Sequence, residues 1–135
     1  MATLDSVFID TSAFIALTAT ADANHARAVK IASRLAQGTF ITTDMVIAEA
    51  LTVMAMRLDK KLALAFGERV RRGGVQIIHT DDDIFERAWQ IFVKEKNKNV
   101  SFVDCLSFAV IASRRIPAAF SFDHDFRNRG FEVLG

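Results

Sequence analysis

The chain has one cysteine, one proline, no tyrosine and a formal net charge of only +1 over 135 residues. A lone thiol, Cys105, excludes an internal disulfide and any multi-cysteine zinc site, and it fits a reducing compartment. The near-neutral balance excludes a global basic field, so any contact with nucleic acid must come from a local patch. No apolar run approaches the roughly 18 residues of a membrane span. The opening segment from Met1 to Asp10 lacks the basic stretch and long apolar stretch of a secretory leader. A soluble cytoplasmic protein without membrane contact is expected. Linkers, repeats and low-complexity stretches are missing too, and Gly73-Gly74 is the one glycine pair. What is present is core material, with 51% hydrophobic residues and 12 Phe. That suffices for one domain over residues 1–135, burying roughly two-thirds of the unfolded chain's surface.

Short apolar runs alternate with longer helical patterns. Ser6–Asp10 is apolar up to its last residue and predicts a central strand. Further strands are predicted over Phe40–Thr42, Val75–Ile78 and Ala118–Phe122, with a short one at Glu132–Leu134. Helices are expected over Ser12–Thr20, from Asp22 to Gly38, from Thr43 or Asp44 to about Arg57, over Lys60–Arg72, Asp81–Lys96 and Ser101–Ser113. The second should bury Ala26, Val29, Ile31, Ala32 and Leu35; the fifth, Ile84, Phe85, Ala88, Phe92 and Val93. Strands separated by helices imply an α/β fold, a three-layer α/β/α sandwich around a mostly parallel sheet.

Four carboxylates sit in apolar surroundings. Asp10 ends Val7-Phe8-Ile9, and Glu49 lies inside Met45–Leu51. Asp104 is enclosed by Phe102-Val103 and Cys105-Leu106, and Asp123 follows Ala118–Phe122. A charged carboxylate in such a setting costs several kcal/mol unless compensated, usually by a cation. Asp10 and Asp123 end predicted strands, where open parallel sheets gather their active groups. Each acid also has a bland reading. Asp10 can cap the following helix, Glu49 can be solvated, Ser101-x-x-Asp104 matches a capping box, and Asp123 can cap a turn before Phe126. Their joint occurrence favours one shared cation site. Carboxylates without an accompanying Cys/His set select Mg²⁺ or Mn²⁺. Such an ion suits phosphodiester hydrolysis without a serine or histidine nucleophile.

Four segments carry a family resemblance. Phe8–Leu17, Ile47–Leu51, Val100–Ser107 and Ala119–Phe126 resemble, in order and spacing, the acidic motifs of PIN-domain nucleases. The single-domain length is similar to VapC-type toxins of toxin–antitoxin pairs. The resemblance implies a Mg²⁺- or Mn²⁺-dependent endoribonuclease. It assigns metal ligation or water positioning to Asp10, Glu49, Asp104 and Asp123. As a departure from the family pattern, Asp125 stands two residues after Asp123 and is placed to share or replace its role. It implies support from Ser12 or Ser121, homodimerisation and a cognate antitoxin protein. Alternatives are a catalytically silent PIN-like binding module and an RNA-processing nuclease that is not a toxin. A phosphoacceptor domain would want paired acids at the first strand, and a haloacid-dehalogenase-type phosphatase an Asp at position 12, where Ser stands.

Arg127 and Arg129 follow the last acidic motif and are the first candidates for RNA phosphates, with Arg114 and Arg115 second. His25, His79 and His124 form no metal set. Cys105 reads as a small core residue. Phe40, Met45, Met54, Met56, Leu58, Leu62, Leu64 and Phe66 make the central helices unusually apolar, which suits core burial, a homodimer face or an antitoxin groove.

Overall fold

The computed structural model describes residues 5–135; the leader reading of Met1–Leu4 lies outside them. Five strands form one sheet: β1 (Ser6–Ile9), β2 (Thr39–Thr43), β3 (Val75–Ile78), β4 (Ala119–Phe120) and β5 (Val133–Leu134). Their order is β3-β2-β1-β4-β5 and every pairing is parallel. Among the described residues, seven α-helices accompany them: α1 (Thr11–Thr18), α2 (His25–Arg34), α3 (Asp44–Val53), α4 (Lys60–Arg71), α5 (Asp82–Lys94), α6 (Phe102–Arg114) and α7 (His124–Asn128).

Connections between parallel strands cross over right-handed. The chain first steps outward from β1 to β3, which stacks α1, α2 and α4 on one face. It then returns across β1 to β4 and continues to β5, which puts α5, α6 and α7 on the other. Ring contacts mark both layers, with Phe14 against Phe66 at 5.2 Å and Phe108 against Phe126 at 5.1 Å. The architecture is the expected α/β/α sandwich. The core runs through the sheet, where Phe8 and Phe120 are fully buried, into α6, whose residues Cys105–Ile111 are all buried.

Several local expectations need correction. Asp22 does not cap α2; its side chain accepts the Asn24 N–H in a turn before the helix. The buried anchor of α2 is Ala28, while Ala26 and Val29 are exposed. On α5, Ile84 and Ala88 are buried, but Phe85, Phe92 and Val93 are exposed. An apolar stripe wider than the neighbouring α6 can cover explains the difference. The helix expected to run to Arg57 loosens into a π-helical turn at Met54–Leu58, closed by Asp59 N–H donating to Met54 O. Asp59 is exposed and caps α4 by accepting the Lys61 N–H. The strand expected over Ala118–Phe122 is two residues long, and α7 was not expected.

Candidate active site

In a sheet of this order, β1 and β4 are neighbours whose connections leave in opposite directions. The gap beyond their carboxyl ends is the switch point at which such folds bind ligands. Asp10 is the first residue past β1 and Ser121 the first past β4. They meet there. Ser121 Oγ donates to Asp10 Oδ2 at 2.7 Å, and Ser12 Oγ donates to Oδ1 at 2.7 Å. The Ala13 N–H donates to the same Oδ1 at 3.0 Å, so Asp10 does cap α1. Ser121 Oγ also accepts the Asp123 N–H at 3.0 Å, and Ser12 Oγ accepts the Phe122 N–H at 2.9 Å. Both serines thereby tie the start of the chain to its last acidic segment. Asp10 is buried, and burial pushes its carboxyl up to about 6 against the opposing pull of these hydrogen bonds.

Three further carboxylates converge in front. Asp104 closes a capping box at the start of α6, accepting the Ser101 N–H through Oδ2 at 3.0 Å while Ser101 Oγ accepts the Asp104 N–H. Asp123 caps α7 by accepting the Asp125 N–H at 3.0 Å. The bland cap readings therefore hold alongside the sharper one, because the caps aim the acids inward. One oxygen from each of Asp104, Asp123 and Asp125 lies within 4.8 Å of the others. Burial raises Asp104 to about 6, and the charges of Asp123 and Glu49 add to the rise. Burial also raises Asp125, followed by the charge of Asp123. Glu49 stands half-buried on α3, outside the close trio but near enough for its charge to bear on Asp104.

Among the described residues, no Lys or Arg forms an ion pair with Asp10, Glu49, Asp104, Asp123 or Asp125; the pairs there are His79–Asp44, Arg87–Asp83 and Arg129–Glu95. An all-oxygen cluster of like charges, partly desolvated and without a protein cation, fits a hard divalent ion.

The basic candidates separate. Arg127 lies beside the acids, with Nη2 donating to Val133 O at 3.3 Å. Arg129 lies 5.5 Å over the Phe108 ring and 3.9 Å from Glu95, and lines a polar cleft with Glu95 and Asp125. Arg114 follows Asp104 by ten residues of α6, which puts it about 15 Å along the helix at the far end of the sheet. Arg115 ends that helix in the left-handed region, with φ 53°. Neither joins the acidic cluster. His25 is bound to Ala16 O at 2.7 Å, and His124 is exposed. Burial, then the Asp104 charge, pushes the Cys105 thiol up to about 11, so it is no nucleophile. Sequence reasoning missed Glu95, which shares a polar cleft with Asp125, and Asn24 and Arg27, which share another with Asp123. No periodicity or motif marks these three.

The PIN domain family profile matches residues 7–132. A curated relative from Mycobacterium tuberculosis, the 23S rRNA-specific endonuclease VapC20, is 33% identical over 126 residues, covering 93% of this chain and 95% of the relative. The crystal structure of that sarcin–ricin-loop-cleaving toxin superposes with TM-score 0.85 at 32% identity, over 93% of this chain and 95% of the other. At the level of fold alone, VapBC2 from Rickettsia felis bound to a promoter DNA fragment matches with TM-score 0.71 at 11% identity, covering 95% and 96%. FitAcB from Neisseria gonorrhoeae matches with TM-score 0.70 at 17% identity, covering 96% of each chain.

Proposed function

This chain belongs to the PIN-domain family, and from that premise we propose that it is a divalent-metal-dependent endoribonuclease, the toxin of a toxin–antitoxin pair. One observation carries the reading. Carboxylate oxygens of Asp104 on α6 and of Asp123 and Asp125 at the start of α7 meet within 4.8 Å, and among the described residues no Lys or Arg forms an ion pair with them. Asp104, Asp123 and Asp125 would hold a Mg²⁺ or Mn²⁺ ion, with Asp10 and Glu49 adding negative charge around it as ligands or water-positioning groups. When bound, the ion supplies a Lewis acid for the phosphodiester and lowers the pKa of a water.

The chain's own residues prepare that chemistry. Ser121 holds the Asp10 carboxylate with its hydroxyl proton and the Asp123 backbone with its lone pair. Ser12 does the same for Asp10 and Phe122. Such outer contacts fix ligand orientation and are worth 10–100-fold in metal affinity. Catalysis then needs no side-chain nucleophile, in keeping with the inert Cys105.

The named relative acts on 23S rRNA, so large-subunit rRNA is the proposed substrate here. The neighbours named as VapBC and FitAcB assemblies support a protein antitoxin as partner. The exposed Met45, Met56, Leu58 and Leu64 of the α3–α4 region offer an apolar face for that partner or for a second copy. One nuclease domain acting in the cytoplasm completes the proposal. No helix among the described residues is long and apolar enough to cross a membrane.

The test is incubation of purified protein with 23S rRNA in Mn²⁺, in Mg²⁺ and in EDTA, beside Asp104→Asn. Cleavage confined to wild type with metal is expected. Cleavage that persists in EDTA would defeat the metal role, and RNA binding without cleavage would leave a silent binding module.

A further inference from the structure

Beside Asp123, a polar cleft of about 400 Å³ opens between the start of α2, α7 and β5. Its walls include Asn24, Arg27, His124 and Arg127, drawn from two segments about a hundred residues apart. Both guanidiniums are held by backbone oxygens. Arg27 Nη2 donates to Gly135 O at 2.8 Å, and Arg127 Nη2 donates to Val133 O at 3.3 Å. Each contact uses one of the five N–H groups of an arginine and leaves the fork otherwise open. Gly135 itself is pressed against β4: a Cβ there would lie 2.0 Å from Ser121 O, and its φ is +143°. The anchor for Arg27 thus rests on the same residue that orients Asp10.

The start of α2 adds to this. Asn24 occupies the cap position but makes no side-chain cap bond. Its amide is available to a ligand, and the positive end of a ten-residue helix borders the cleft. Two fixed guanidiniums, an unengaged amide and a helix N-terminus form an anion site. Asp123 belongs both to the cleft and to the carboxylate cluster. Whatever anion occupies the cleft is therefore continuous with a phosphodiester lying at the carboxylates. That continuity favours a nucleic-acid strand over an acidic peptide.

Resting on the nuclease reading above, we propose that this cleft seats an RNA phosphate flanking the scissile one, held by Arg27 and Arg127 with Asn24 and His124 beside them. The strand then leaves the cutting centre past α2, on the side of Asp123 opposite the cleft that Arg129 shares with Glu95 and Asp125.

The experiment uses fluorescein-labelled sarcin–ricin-loop RNA of 23S type and fluorescence anisotropy across a salt series, in an Asp104→Asn background with Mn²⁺. Arg27→Gln and Arg127→Gln should each weaken binding about tenfold, as loss of a charge-assisted contact does. Each should lower the slope of log affinity against log salt by about 0.7–0.9. Arg27→Lys should recover part of the loss. Lys30→Gln, an exposed charge on α2 outside the cleft, should bind as the background does. Arg127→Gln and the lysine rescue keep the question open to refutation if Arg27→Gln unfolds. Unchanged affinity and salt slope in both arginine variants, with Mn²⁺-dependent cleavage by the wild type intact, would overturn the subsite alone. A wild type that neither cuts nor binds RNA would overturn the subsite and the nuclease reading together. Loss of antitoxin binding with RNA binding unchanged would reassign the cleft to the protein partner.

Discussion

Asp10→Asn should make the metal-free protein more stable while destroying its activity. With its carboxyl raised from 3.8 to about 6, the buried acid costs the folded state about 3 kcal/mol at neutral pH, at about 1.4 kcal/mol per pH unit. Below about pH 4 both folded and unfolded forms are protonated, and the penalty is absent. It develops as pH rises from about 4 to 6 and is complete above, so stability of the metal-free wild type falls over that window. Asparagine keeps the shape and removes the charge. Its Oδ1 can still accept from Ser12 and Ala13, but its amide must donate to Ser121. The Ser121 proton then has to turn toward Ser12, whose Oγ is 3.5 Å away. That weaker arrangement gives back about 1 kcal/mol. The net gain is about 2 kcal/mol, or about 6–10 °C in Tm for a chain of this size. Thermal melts by circular dichroism in EDTA at pH 7.5 and pH 4.5 measure it. The variant should melt higher at pH 7.5 and level with wild type at pH 4.5. Added Mn²⁺ should raise wild type more than the variant. A variant that melts lower at pH 7.5, or a gap that persists at pH 4.5, would refute the reasoning.

Ser121→Ala should lower stability by about 1–3 kcal/mol, since it strands Asp10 Oδ2 and the Asp123 N–H; a Mn²⁺ titration followed by Tm should show affinity reduced about 10–100-fold. Asp123→Ala should cost more cleavage than Asp125→Ala, because Asp123 also caps α7 and shapes the turn that brings Asp125 in; initial rates at saturating Mn²⁺ decide the order. Arg115→Gly should raise stability by about 0.5–1 kcal/mol by relieving the left-handed backbone at the end of α6. RNA cleavage by that variant should match wild type, and a loss would return Arg115 to the RNA-binding surface.

Much of the fold is written in local chemistry. The unbroken apolar run Val7-Phe8-Ile9 announces a central strand because both faces of β1 are covered. Gly73-Gly74 marks the stop of α4 because both glycines take positive φ. Ser101-x-x-Asp104 states the start of α6 outright, and the full capping box is present. What stayed hidden depends on tertiary geometry. Helix α7 spans five residues, too few for any periodicity to register. Phe122 looks like strand, but the chain leaves the ladder after Phe120 so that Ser121 can reach Asp10. Phe85 and Phe92 are as apolar as any core residue, and only the width of α6 leaves them exposed. At the site, apolar flanks singled out Asp10, Glu49, Asp104 and Asp123, and Asp125 was marked by its place two residues after Asp123. That Asp104, Asp123 and Asp125 form the close trio while Glu49 stands outside it was not legible, because it follows from the tight turn that Asp123 caps. Nor was the place of Arg27, since nothing near residue 27 says that the Gly135 carbonyl, 108 positions on, will hold it.

The hydroxyl that secures Asp10 Oδ2 arrives 111 positions later. Its strand, β4, lies beside β1 in the sheet yet follows three strands and six α-helices along the chain. Asp104, Ser121 and Asp123 all come from the last quarter of the polypeptide. On the proposed reading, a product ending before residue 104 keeps Asp10 and Glu49 but lacks their partners, and is expected to leave RNA intact.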